Sequence, residues 1–313
     1  MLEYYYFCYG KIGVNIFVLI SGFFLINSKF KVRKFIKIIF QVLFYSVSIL
    51  FVNIIVNKEI TFIMVVKTIT SFMSLYWFIS IYIAIYLLSP FINKLIKSIN
   101  KLALRNLILI LVFLFVIVPT FIGLDIFMGE LQWFLLMYLV GAYIQLYDKD
   151  YSDKRKLYIA IACIIFAIEI IVGVVLSNKI SNPKEFLECM MFLGQMNFLP
   201  ITIISILIFL IFKDIKMKNN NYINKLSQGS FAVYLFHDNP YIRAIIWKNL
   251  CKTEMFLYSN AITLCIHILI CTISIYTVGC LIEMFRCAVA NKIHISNIRV
   301  ECFLDKIDEQ LNF

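Results

Sequence analysis

Read for polarity alone, the chain alternates between continuous apolar runs of about 17 to 22 residues and short polar interruptions, most of them basic. An α-helix rising 1.5 Å per residue needs about 20 apolar residues to cross a hydrocarbon core of roughly 30 Å. A transmembrane β-barrel would instead show ~10-residue segments of alternating polarity, and these runs do not alternate. Only helices and closed barrels satisfy their backbone hydrogen bonds in lipid. The pattern therefore predicts an all-α, polytopic transmembrane helical bundle. Nine spans are expected, near residues 12–27, 38–56, 75–92, 106–122, 131–147, 157–176, 196–212, 228–249 and 261–285. The stretch 61–73 (TFIMVVKTITSFM) carries Lys67 and several hydroxyls, and reads as interfacial rather than spanning. Residues 1–285 form the expected membrane bundle. Residues 286–313 form a tail in which 300–311 reads as a short amphipathic helix.

Composition agrees with this pattern. Of 313 residues 62% are hydrophobic and only 15% charged, against roughly 25% charged in soluble proteins. A soluble fold has no way to hide that apolar surface. Disorder, a disulfide scaffold and a collagen-like fibre are excluded on the same ground.

Alternate loops differ sharply in charge. One side collects 21 of the 29 Lys and Arg residues, including Lys29, Lys31, Arg33, Lys34 and Lys37 in the first loop. The other side holds 7, and Arg243 falls inside a span. By the positive-inside rule the first set is cytoplasmic, which also places the C-terminus in the cytoplasm and Met1 outside. The leader MLEYYYFCYGK has no basic n-region and no cleavage site, so it is no secretory signal. The net charge of +11 then reads as topogenic charge in contact with anionic membrane lipids, not as a nucleic-acid footprint. Nine Cys without a Cys-x-x-Cys pair, and three His (His237, His267, His294) without ligand spacing, predict no metal site. No Walker, Rossmann or Gly-x-Ser-x-Gly pattern is present.

Polar groups inside hydrocarbon are costly and each is a functional candidate. The eighth span, SQGSFAVYLFHDNPYIRAIIWKNL, is the richest. A helix starting near Ser227 places His237 about 15 Å in, near the midplane. Ser230, Tyr234 and His237 then share one face. Asp238, Asn239 and Pro240 follow, and the proline breaks the ladder. Arg243 lies within reach of Asp238. Two readings stay open: a packing histidine at an architectural kink, or a polar cavity with a general base and substrate-binding groups. The first basic loop offers Lys34 and Lys37 on one helix face beside Arg33, suited either to topogenesis or to holding polyphosphate. In the first span Asn15, Ser21 and Gly22 suit close helix packing. Glu169 reads as the only carboxylate clearly within the core, and His267 as a packing residue. Trp77, Trp133 and Trp247 lie near span ends, as an interfacial belt would.

Three blocks in order, GVNIFVLISGFFL with its basic loop, SLYWFISIYIAIYLLSPFI, and KLSQGSFAVYLFHDNP, resemble the membrane-bound acyltransferase-3 family. Within it the chain looks most like exopolysaccharide-type enzymes of low-GC bacteria. The resemblance implies a roughly ten-helix bundle in the bacterial plasma membrane. It also implies a cytosolic acyl-CoA donor, usually acetyl-CoA, and an acceptor hydroxyl on a cell-surface polysaccharide or lipid-linked glycan. The family's Arg-x-x-Arg, tied to donor handling, falls on Lys34-x-x-Lys37, which keeps the charge and loses the bidentate fork. The Tyr-Leu-x-His element maps to Tyr234, Leu235 and His237. Family members also carry a basic residue and a His, the latter taken as catalytic, in a span that would precede Met1. A chain without that span is expected to be incomplete or inactive.

The expected function is O-acyl transfer, with His237 and Asp238 as catalytic candidates. Arg33, Lys34 and Lys37 are the donor-binding candidates, and Tyr234, Asn239 and Arg243 the substrate-binding ones. The rival from another class is a transporter or flippase for a glycan or small solute, using the broken helix as its site.

Overall fold

The computed structural model describes residues 2–57, 61–70, 75–123, 129–147, 154–215, 218–256, 259–293 and 298–311. Met1, His294 and the loop cations Lys58, Lys149 and Lys216 lie outside them. Every regular element among the described residues is helical. In chain order these are α1 (Leu2–Leu25), α2 (Val32–Asn57), α3 (Phe62–Thr70), α4 (Trp77–Ser98) and α5 (Lys101–Val112). A π-helical turn (Phe113–Ile117) leads into α6 (Val118–Ile122), α7 (Glu130–Tyr147), α8 (Arg155–Lys179), α9 (Pro183–Leu193) and α10 (Leu199–Lys213). Then come α11 (Asn221–His237), a second π-helical turn (Ile245–Leu250), α12 (Thr253–Phe256), α13 (Ala261–Ile293) and α14 (Ile298–Leu311).

Among the described residues, five helical segments are long and apolar enough to cross a membrane: 32–56, 77–98, 101–122, 155–179 and 262–289. Two shorter apolar helices, 10–25 and 199–213, lie in the first and seventh expected spans. The eighth expected span is not one helix, because α11 ends at His237. The structure thus supports a membrane helical bundle without reproducing nine full-length spans. Helix α3 has nine residues, about 13 Å of rise, far short of a crossing.

Prolines inside the apolar helices show how these breaks are tolerated. Pro90 lies within α4 and removes the amide that would bond the Tyr86 carbonyl. The Ser89 hydroxyl donates to that carbonyl instead, at 2.7 Å. Pro119 does the same to Phe115 beside the first π-helical turn, and the buried Asn197 amide donates to the orphaned carbonyl at 3.2 Å. Each repair comes from a side chain because lipid offers no water.

The chain forms two compact units, residues 1–30 with 81–216, and residues 31–80 with 217–311. In the first, α1 packs on α7 and α10, and α8 packs on α10. The α1–α7 approach is set by glycines. A Cβ on Gly22 would strike the Tyr138 backbone, and one on Gly141 would strike that of Leu19 and Phe23, as small-residue helix packing requires. Asn15 is fully buried and satisfied. Its amide donates to the Met196 carbonyl at 2.8 Å and to Ser205 at 3.2 Å, and it accepts from the Trp133 indole at 2.8 Å. Trp133 is therefore wholly buried rather than interfacial, because its indole N–H has a core partner at Asn15.

In the second unit α11 packs on α13 and α2, and α14 lies against α2. Glycines again allow close contact, Gly229 against Cys280 and Gly279 against Val233. The tail helix α14 has a structural role that its sequence did not suggest: the Asp308 carboxylate accepts from the Val32 amide at 2.7 Å, capping α2 from outside. The expectation that Glu169 alone carries a carboxylate into the core is corrected here. Glu283 in α13 is buried at 7% exposure. It is stable there because donors surround it.

Candidate functional site

The break after α11 belongs wholly to the second unit. Helix α11 begins at Asn221, where the Asn220 side chain accepts from the Tyr222 and Ile223 amides. That start is six residues earlier than the Ser227 expected, so His237 is the last helical residue. It stands ~24 Å along the axis from Asn221. The turn beyond it is built by Asn239, which is fully buried. Its Oδ1 accepts from the Tyr241 amide at 3.0 Å, and its carbonyl accepts from the Ile242 and Arg243 amides at 3.2 and 2.8 Å. Its Nδ2 donates to the Tyr76 hydroxyl at 2.7 Å, and that hydroxyl donates to the Leu235 carbonyl at 2.9 Å. Tyr76 is fully buried. It joins the residue before α4 to the last turn of α11 and holds the break in one conformation.

His237 is part-buried at this end. Its Nδ1 lies 2.7 Å from the Val233 carbonyl. A carbonyl only accepts, so Nδ1 carries the proton and the neutral ring presents Nε2 as its lone pair. Tyr234 and Trp247 meet the imidazole edge to face, with centroids 6.2 and 6.1 Å away. Tyr234 is itself packed edge to face on Phe78 at 5.4 Å, and its buried hydroxyl makes no hydrogen bond among the described residues. Asp238 follows as the C-cap of α11, and Arg243 reaches it only loosely, Nη1 to Oδ1 3.5 Å. Tyr234, His237, Asp238, Asn239 and Arg243 therefore do cluster at one helix end. Asn239 serves the turn, with both polar ends of its side chain engaged. The other four present a lone pair, a hydroxyl, a carboxylate and a guanidinium around it.

The basic residues of the first loop separate by role. Arg33 is half-exposed and pairs with Asp305 of α14 at 3.4 Å. Lys34 and Lys37 lie exposed in the first turns of α2, and among the described residues neither is held in an ion pair. Continuing their stripe at i+7 and i+11 from Lys34, Gln41 and Tyr45 reach Glu283 of α13, each at 3.1 Å. Arg286, one turn beyond Glu283, closes on the same carboxylate with Nε at 2.8 Å and Nη2 at 2.6 Å.

Sequence alone does not reveal this cluster, because Glu283 and Arg286 fall at the cytoplasmic end of the last apolar run and read as charges of the membrane surface. The available signal was the period: Lys34, Lys37, Gln41 and Tyr45 recur on one face of α2 at i, i+3, i+7 and i+11. Tyr76 was missed because an aromatic among aromatics carries no pattern. The other histidine, His267, is stacked on Phe256 at 3.8 Å and donates to the Cys251 carbonyl at 2.7 Å, both packing contacts.

The chain thus combines membrane-spanning helices, a part-buried histidine at a helix break, and a polar stripe on α2 that runs from Lys34 and Lys37 to Gln41 and Tyr45. A family model described as an acyltransferase domain matches residues 3–284. No curated protein and no solved structure matches the chain. With that match running over most of its length, the chain belongs to the acyltransferase-3 family of membrane acyltransferases.

Proposed function

We propose that the protein transfers an acyl group, acetyl in the first instance, from cytosolic acyl-CoA to a hydroxyl of a cell-surface polysaccharide or a lipid-linked glycan. The observation that carries this reading is the tautomer of His237. With Nδ1 committed to Val233, Nε2 is the basic atom at the helix break. Histidine is the side chain whose ordinary pKa suits proton acceptance near neutrality. In the proposed step the acceptor oxygen attacks the thioester carbonyl while His237 Nε2 takes the hydroxyl proton. The carbon–sulfur bond then breaks, and the proton passes to the departing CoA thiolate. Asp238, directly after His237, stabilises the imidazolium that forms meanwhile. Tyr234 and Arg243 line the acceptor side. Lys34 and Lys37, with Arg33 beside them, meet the donor phosphates at the cytoplasmic end of α2.

Geometry supports the division of labour. On packing contacts along α11 and α13, the level of Glu283 lies about one residue before Ser227. His237 is then ~16 Å further along the axis, a separation that supports assigning the donor phosphates and the reacting carbonyl to different depths.

The test is transfer of radiolabelled acetyl from acetyl-CoA into glycan, using membranes from cells expressing the complete gene. His237→Ala is expected to keep protein abundance and lose transfer. Lys34→Ala with Lys37→Ala is expected to raise the KM for acetyl-CoA without reducing membrane insertion. Absence of transfer together with loss of glycan export on gene deletion would replace the reading with a transporter or flippase.

A further inference from the structure

Glu283 presents a problem that a packing role does not solve. A carboxylate buried to this degree costs several kcal/mol unless it is paired and fully hydrogen-bonded. Arg286 alone would neutralise it. The structure adds two donors from a different helix, Gln41 and Tyr45 of α2, on the very face that carries Lys34 and Lys37. Lys37 precedes Gln41 by one helical turn on the face of α2 that meets Glu283. Lys37 and Arg286 therefore lie at the same end of the α2–α13 contact, with Lys34 about one turn further out on α2.

Arg286 is also only partly used. Its Nε and one Nη2 proton meet Glu283, and Nη2 contacts Cys287 at 3.5 Å. Nη1 makes no hydrogen bond among the described residues. A guanidinium anchored along its Nε–Nη2 edge keeps a fixed orientation, which gives its remaining N–H groups a defined direction toward an anion. That is the planar fork which Lys34-x-x-Lys37 lacks.

Resting on the acyl-CoA reading above, we propose that Arg286 is a further cation of the donor-phosphate site, beside those of the first basic loop, and supplies its directional contact. Glu283 is the positioning residue that orients Arg286 and locks α2 against α13 in register. The ligand class is a phosphate or pyrophosphate ester, as carried by the nucleotide part of CoA.

The experiment is calorimetric titration of CoA into the purified full-length chain in detergent, with SDS-unfolding measured on each variant. Arg286→Lys keeps the charge beside Glu283 and removes the fork. It is expected to bind CoA about tenfold more weakly, the order of one charge-assisted hydrogen bond, and to lose some stability as one bond to Glu283 is given up while remaining folded. Removing Arg286 outright would strand the Glu283 carboxylate, so the second variant is the neutral pair Glu283→Gln with Arg286→Gln. It is expected to fold and to lose at least as much affinity. Failure of wild type to bind CoA would defeat the acyl-CoA reading itself. Weak binding by Lys34→Ala with Lys37→Ala, but wild-type binding by Arg286→Lys and by the neutral pair, would overturn the Arg286 proposal alone. Wild-type binding by Arg286→Lys with weak binding by the neutral pair would overturn the directional contact.

Discussion

Replacing Tyr76 with Phe removes one oxygen from a fully buried site and keeps the ring. That oxygen donates to the Leu235 carbonyl at 2.9 Å and accepts from Asn239 Nδ2 at 2.7 Å. In water-excluded protein each unsatisfied group would cost about 1–3 kcal/mol. Interhelical hydrogen bonds in membranes measure less, about 0.6 kcal/mol on average and up to ~1.7, since the unfolded chain in lipid also finds partners. Two bonds lost therefore predict a destabilisation of about 1–3 kcal/mol. Asn239→Ala loses the shared bond and the cap on the Tyr241 amide, so its cost is similar or larger. Because the bond is shared, the double variant is expected to fall short of the sum, with a coupling of about 0.5–3 kcal/mol. SDS-unfolding equilibria of the four proteins in mixed micelles close the cycle. Acetyl transfer on the same preparations is expected to show a lower kcat with an unchanged KM for acetyl-CoA, since the turn orients His237 and not the donor cations. Strict additivity, or a Tyr76→Phe protein with wild-type stability and kcat, would refute the assignment of Tyr76 as the strut of the break.

Other expectations follow from the packing. Gly22→Ala drives a methyl group into the Tyr138 backbone, whose carbonyl carbon and Cα would lie at 2.8 and 2.9 Å; a loss of about 1–3 kcal/mol or more is expected on overpacking grounds, read as reduced folded yield in detergent. Gly141→Ala is expected to behave alike, and the pair to be sub-additive because both act on one interface. Asp308→Ala uncaps α2, with an expected cost of about 1 kcal/mol and increased amide exchange confined to its first turn. Unaltered exchange there would remove α14 from the account of α2.

Hydropathy alone was enough to establish the membrane bundle, since twenty-residue apolar runs admit no other architecture in a solvent without hydrogen bonds. It located the break at Asp238-Asn239-Pro240 as well, because proline acts on the backbone wherever it falls. Gly22 was also legible, as a small residue in an apolar helix. What sequence left undetermined depends on partners far apart in the chain. Whether Trp133 faces lipid or core turns on Asn15, 118 residues away. Glu283 looked like an ordinary membrane-surface acid until Gln41 and Tyr45, more than 230 residues earlier, were found donating to it. Arg33 looked equivalent to Lys34 until the tail returned Asp305 to it. Local pattern decides which segments leave water. The partner of each polar group inside is settled only when helices from distant parts of the chain pack, because in lipid every such group must find another group of the protein.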